Sequence, residues 1–135
     1  MDYPKNSEEL EIVNKYTQKI TIPQLTKVFT AQDLKNLQTL ARQVPIADDI
    51  KRKVVELIHK TRTKKELIEY GASPRASIGL ILAAKARALL NGNPFVSMDD
   101  IKAMAYPVLR HRIVLSFEAE RQQKTPDDVI RELLN

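Results

Sequence analysis

The chain has 135 residues, 43% of them hydrophobic but only 5% aromatic, with three Gly and no Trp. That length fits one domain with a real apolar core, and the shortage of aromatic residues favours an Ala/Leu/Ile-rich helical protein over a sheet. The absence of Cys excludes disulfides and thiolate metal sites and suits a reducing cytoplasm, while the net charge of +5 permits an anionic partner without requiring one.

Taken in chain order, Pro4 precedes Asn6-Ser7-Glu8-Glu9, where Asn6 and Glu9 have capping-box spacing. A first helix is expected from there to about Lys19, with Leu10, Val13 and Ile12 turned inward. Ile20 to Phe29 reads as a connector held open by Pro23. Thr30 and Asp33 repeat the capping spacing, and Leu34, Leu37, Leu40, Ala41 and Val44 form a stripe at helical period. Pro45 ends that helix. Asp48 and Asp49 suit the positive first turn of a third helix, whose buried face is Ile50, Val54, Leu57 and Ile58. These acids sit beside Lys51-Arg52-Lys53, so the basic charge reads as a solvated surface before a nucleic-acid footprint.

From Ala76 to Leu90 only Ser77, Lys85 and Arg87 are strongly polar. A helix apolar nearly all round is expected at the centre of the bundle, with Ile78, Ile81, Leu82 and Leu89 deeply buried. Gly79 inside it costs about 1 kcal/mol relative to Ala and is expected to admit a neighbouring backbone closely. The longest apolar stretch, Ile78 to Ala84, ends at Lys85 and is far short of the roughly 20 residues of a membrane span. The N-terminus lacks a signal peptide's apolar centre, so a soluble, cytoplasmic protein is expected. Asn91-Gly92-Asn93-Pro94 signals a turn, and Phe95-Val96 is a candidate short strand beside Val44 to Ile46. Ser97 with Asp100 caps another helix. Pro107 is expected to start one more, with Val108, Leu109, Ile113 and Val114 inward. Thr125-Pro126-Asp127-Asp128 opens a last helix with Val129, Ile130, Leu133 and Leu134 on its apolar side. The fold class is therefore all-α, a bundle of about six helices with at most one very short two-stranded pairing.

None of the three glycines is followed by Lys, so there is no phosphate-binding P-loop. Asp99-Asp100 lacks the preceding strand of a Walker B motif and reads as helix capping. His59 and His111 have no ligand-spaced partner, which argues against a metal site. One segment stands out. In Gly71-Ala72-Ser73-Pro74-Arg75-Ala76, Ser73 reads as the N-cap and Pro74 as the first helical residue, which puts Arg75 in the first turn. A cation there opposes the helix dipole by about 0.3–1 kcal/mol. Free amides, the positive dipole end and a guanidinium together suit an anion such as phosphate; an ordinary surface arginine on a Pro-started helix fits the residues equally well.

Gly71 to Ser77 is followed in order by Ala83-Ala84-Lys85-Ala86-Arg87-Ala88-Leu89-Leu90, Phe95-Val96-Ser97-Met98-Asp99-Asp100-Ile101 and Pro107-Val108-Leu109-Arg110-His111-Arg112-Ile113. Together these segments resemble the C-terminal lid domain of MoxR-family AAA+ ATPases. Tyr3-Pro4 with Glu8 to Ile12 is similar to that family's join between core and lid, and Thr125 to Ile130 to its closing helix. The resemblance implies a single lid domain over residues 1–135 whose AAA+ nucleotide-binding core would precede residue 1. It implies a hexameric machine driven by ATP and Mg, with chaperone-like remodelling activity, often working beside proteins with von Willebrand factor A domains. By similarity Arg75 matches the sensor-2 arginine, with Ser73 on the same phosphate-facing side. No catalytic residue is expected in this chain, and no ATP hydrolysis by it alone. Gly79 stands where the family often has a larger residue. Arg110, His111 and Arg112 could face nucleotide, a neighbouring subunit or solvent, and Tyr70 is expected to pack before it would stack on adenine. A free-standing helical nucleic-acid-binding module, or an adaptor for a partner peptide, is the competing reading; no single basic recognition helix supports the first.

Overall fold

The computed structural model describes residues 3–18 and 25–135. They fall into two compact units, residues 1–30 and 31–135. The first contains α1 (Asn6–Thr17), where the Glu8 carboxylate accepts the Lys5 N–H at 2.8 Å. The cap thus lies one residue ahead of the Asn6/Glu9 pairing expected from sequence. No residue of α1 is buried, so Leu10, Ile12 and Val13 are not turned into a core. The expected end of that helix at Lys19 and the first half of the connector expected over residues 20–29, residues 20–24, lie outside the described residues, and residues 25–30 form no regular element.

The second unit contains α2 (Ala31–Gln43), α3 (Asp48–Thr63), β1 (Ile68–Tyr70), α4 (Pro74–Leu90), α5 (Met98–Leu109), β2 (Val114–Leu115), α6 (Phe117–Arg121) and α7 (Pro126–Leu134). The all-α expectation holds: the described residues contain seven helices and one two-stranded antiparallel ribbon. The ribbon pairs Ile68 with Leu115 and Tyr70 with Val114. It does not join Phe95-Val96 to Val44–Ile46, where a single bond runs from the Val96 N–H to the Pro45 carbonyl at 3.0 Å. Pro45 has no N–H to donate in return, so that contact cannot grow into a ladder.

Central position falls to α4, which packs on α2, α3 and α5. Its buried residues are Ala76, Leu80, Ala84 and Ala88, spaced by four so that they line one face. The small alanines let α5 approach closely with Ile101, Ala105 and Leu109 buried. The deep burial expected of Ile78, Ile81, Leu82 and Leu89 is not found. Ile78 is 61% exposed and the other three are half-buried. A helix with no polar face has no side dictated by its own sequence, and here the side of smallest residues meets the nearest neighbour. Ile78, Ile81 and Leu82 instead line an open groove of about 480 Å³ with Val44 and Ile46. On α2 only the end of the apolar stripe reaches the core. Val44, just beyond the helix, is buried and Ala41 half-buried, while Leu34, Leu37 and Leu40 stay exposed.

Gly79 does not admit a neighbouring backbone. A methyl group built there meets only the Val108 side chain, at 3.9 Å, which is ordinary contact. Gly79→Ala is therefore expected to stabilise the chain by about 0.5–1 kcal/mol, the helix-propensity difference. A urea midpoint unchanged or lowered by this substitution would contradict the open space seen beside it.

Helix ends follow local chemistry. Gly92 has φ +70, and the Gly92 and Asn93 amides bond the Leu89 and Ala88 carbonyls at 3.0 and 2.9 Å, closing α4 in a Schellman turn. Ser97 and Asp100 cap α5 reciprocally: the Ser97 hydroxyl accepts the Asp100 N–H at 3.2 Å, and the Asp100 carboxylate accepts the Ser97 N–H at 2.9 Å. Pro107 does not start a helix but lies inside α5, in its last turn, where it removes one helical hydrogen bond. Ile113 is buried beyond α5, whereas Val114 is exposed on β2. Thr125 and Asp128 cap α7 as expected, burying Val129, Ile130 and Leu133. No helix among the described residues is long and apolar enough to cross a membrane.

Candidate functional site

Ser73 is extended, at φ −71 and ψ 164, and Pro74 opens α4, as the sequence leads one to expect. The Ser73 hydroxyl, however, accepts no capping bond, and Pro74 has no N–H. The first turn of α4 contains no acid, whereas all six other helices among the described residues carry at least one there. The positive end of this helix is thus left open, and Arg75 adds a full positive charge to it. Arg75 is exposed and makes no hydrogen bond or ion pair among the described residues.

The segment leading to Arg75 is tightly held. Thr61, in the last turn of α3, is fully buried. Its hydroxyl donates to the Ile58 carbonyl at 2.6 Å and accepts the Ala72 N–H at 3.0 Å. The neighbouring Arg62 donates through Nε to the Ala72 carbonyl at 2.7 Å. Gly71 passes so close to α3 that a Cβ would lie 2.6 Å from the Thr61 carbonyl carbon and 2.8 Å from the Arg62 Cα. On the other side β1 is fixed by β2 and by Ser116, whose N–H bonds the Leu67 carbonyl and whose hydroxyl bonds that of Glu66. Sequence reasoning does not single out Thr61 or Arg62; both lie in a last helical turn that reads simply as two basic residues and two Thr, Lys60-Thr61-Arg62-Thr63.

The remaining candidates separate from this site. Arg110 makes a two-pronged ion pair with Asp127, at 2.8 and 2.7 Å, tying the end of α5 to the first turn of α7. That contact holds the Asp127 carboxyl below its usual range. Arg112 donates to the Val108 carbonyl. Both arginines are thus engaged within the chain, and His111 is exposed. Tyr70 is 66% exposed, so the expected packing is not found among the described residues. The described residues contain no cluster of His, Cys, Asp or Glu able to hold a metal ion.

Residues 59–133, from the second half of α3 to α7, match the family model of the AAA lid domain. The chain belongs to the AAA lid domain family. This lid is of the MoxR type: it is 34% identical over 140 residues to Chaperone MoxR1 of Mycobacterium tuberculosis, covering 98% of the lid chain and 37% of that protein. It is 35% identical to YeaC of Bacillus subtilis, over 100% of this chain and 42% of YeaC. Protein MoxR of Methylorubrum extorquens is 40% identical over 63 residues, 45% of this chain. The lid also superposes on a crystal structure of a candidate ATPase from Cytophaga hutchinsonii with a TM-score of 0.79 and 30% identity, over 99% of this chain and 43% of the other. The chain thus spans about two-fifths of the length of the relatives it matches along its whole extent.

Proposed function

We propose that this lid carries the sensor-2 arginine of a MoxR-type AAA+ ATPase, with Arg75 reaching the phosphates of ATP bound by a nucleotide-binding core outside residues 1–135 and Ser73 lying on the same side. The observation that carries this reading is the state of the α4 N-terminus. It has no acid and no side-chain cap, and it presents an exposed arginine without a partner among the described residues. Such an end is complementary to an anion and has no evident stabilising use otherwise. ATP supplies the phosphate charge that differs before and after hydrolysis; Arg75 supplies the contact that senses the difference. Mg would be held, with the ATP, by the core. The lid itself hydrolyses nothing. In a homo-hexameric, cytoplasmic machine, its reorientation would couple ATP turnover to chaperone-like remodelling, with a von Willebrand factor A domain protein as a partner. No membrane or nucleic acid enters this scheme.

A charge-assisted hydrogen bond is worth about 1.5–3 kcal/mol, enough to shift the balance of two lid orientations by roughly tenfold or more. Arg75→Ala is accordingly expected to lower ATP turnover at least tenfold in the ATPase that carries this lid. The melting temperature of the 135-residue chain should stay within about 2 °C, because the side chain is exposed and unbonded. The reverse pattern, a destabilised chain and an unimpaired ATPase, would show Arg75 to be structural.

A further inference from the structure

We infer that Thr61 and Arg62 are positioning residues for Arg75: together they clamp the Ala72 peptide, and through it set the direction in which α4 presents its first turn. The inference rests on the sensor reading of Arg75 and extends it to residues that do not touch nucleotide. Three observations converge on it. Both polar groups of Ala72 are taken by consecutive residues of α3, its N–H by the Thr61 hydroxyl and its carbonyl by the Arg62 Nε. Thr61 is itself fixed, fully buried and bonded to the Ile58 carbonyl, so its hydroxyl has one orientation in which to accept. Gly71 brings the two backbones into direct contact, removing the slack that a side chain there would impose.

Only two residues separate Ala72 from Arg75, and they are the Ser73 cap position and the rigid Pro74 ring. A guanidinium at the end of a flexible side chain is useful as a sensor only if its Cα is placed reproducibly. Here that placement comes from α3, since the Ser73 hydroxyl contributes no cap bond. The expected consequence is that loosening Ala72 weakens the action of Arg75 without removing its charge.

Two measurements test this. In the 135-residue chain, Thr61→Val and Arg62→Met should each accelerate hydrogen exchange at the Ala72 amide at least tenfold, while Arg75→Ala leaves it unchanged. In the ATPase that carries this lid, each clamp variant should reduce kcat several-fold with KM for ATP changed less than twofold, and Thr61→Ser, which keeps the hydroxyl, should restore kcat to within about twofold. The deciding comparison is the double variant. If the clamp acts through Arg75, Arg62→Met combined with Arg75→Ala should be no slower than Arg75→Ala alone. Losses that multiply, or an Ala72 amide whose exchange ignores both clamp variants, would overturn the inference while leaving the sensor reading intact. Wild-type turnover in Arg75→Ala would overturn both. Should Thr61→Val fail to fold, Arg62→Met carries the test, because Arg62 is only half-buried.

Discussion

Asp100→Ala should destabilise the chain by about 2–3 kcal/mol, visible as a fall in melting temperature of roughly 10 °C. Asp100 is fully buried, yet it accepts from the Ser97 N–H at 2.9 Å and the Ser97 hydroxyl at 2.8 Å, and it binds Arg87 of α4. It is at once the α5 cap and the ionic link between the two helices with the most extensive contact. Removing it leaves two donors without acceptors and a guanidinium without its counter-charge. Because the Arg87 side chain is 35% exposed, water recovers part of the loss, which is why the expectation lies below the full cost of breaking a buried pair. Burial pushes the Asp100 carboxyl up, but the Ser97 bonds and Arg87 outweigh it, and the net displacement is downward. A carboxyl lowered by folding adds stability above its unfolded value, about 3.9, and that contribution disappears as pH falls through the lower folded value. The gap between the melting temperatures of wild type and Asp100→Ala should therefore narrow as the pH falls from 6 towards 2. A gap that stayed constant with pH would mean that Asp100 acts through packing and not through charge.

Gly71→Ala is expected to cost a similar amount, about 2–3 kcal/mol, although it adds a single methyl group. The added carbon would meet main-chain atoms of Thr61 and Arg62, which cannot rotate away as a side-chain tip can. Relief requires separating α3 from the segment that enters α4, and overpacking of this kind typically costs about 1–3 kcal/mol. Gly79→Ala, only eight residues further on, is expected to have the opposite sign. Measuring both in one urea series checks the geometry directly. If Gly71→Ala proves neutral, the close approach of the two backbones is wrong.

These two glycines also show what could be read from sequence and what could not. The elements that carry their own signals were legible: Ser97 with Asp100, Thr125-Pro126-Asp127-Asp128, the Asn91–Asn93 turn and the limits of α4 all depend on residues within a few positions of one another. Ser73-Pro74-Arg75 was legible for the same reason. What depended on distant neighbours was not. The buried face of α4 is decided by α5, since the helix is apolar on every side. The β1–β2 ribbon joins residues almost fifty positions apart through strands of three and two residues, too short to show an alternating pattern. Pro107 read as a start because proline favours first turns, but tertiary packing carries α5 through it. The short helix α6 did have a local signal: the Ser116 hydroxyl accepts the Ala119 N–H at 3.1 Å, a cap spacing present in the sequence. The Thr61–Ala72 contact spans eleven positions between two elements, and no periodicity or motif announces it.

The length of α4 has a mechanical consequence. Seventeen residues at 1.5 Å rise make a rod of about 25 Å, with Arg75 at one tip and Leu90 at the other. Its middle is packed through alanines against α5, which is joined to α7 by Arg110 and Asp127. Because its middle is held by α5, a rotation of about 10° about that point would move each tip by roughly 2 Å, in opposite directions. The helix is thus a balanced beam, in which a displacement imposed at one tip is returned with opposite sign at the other.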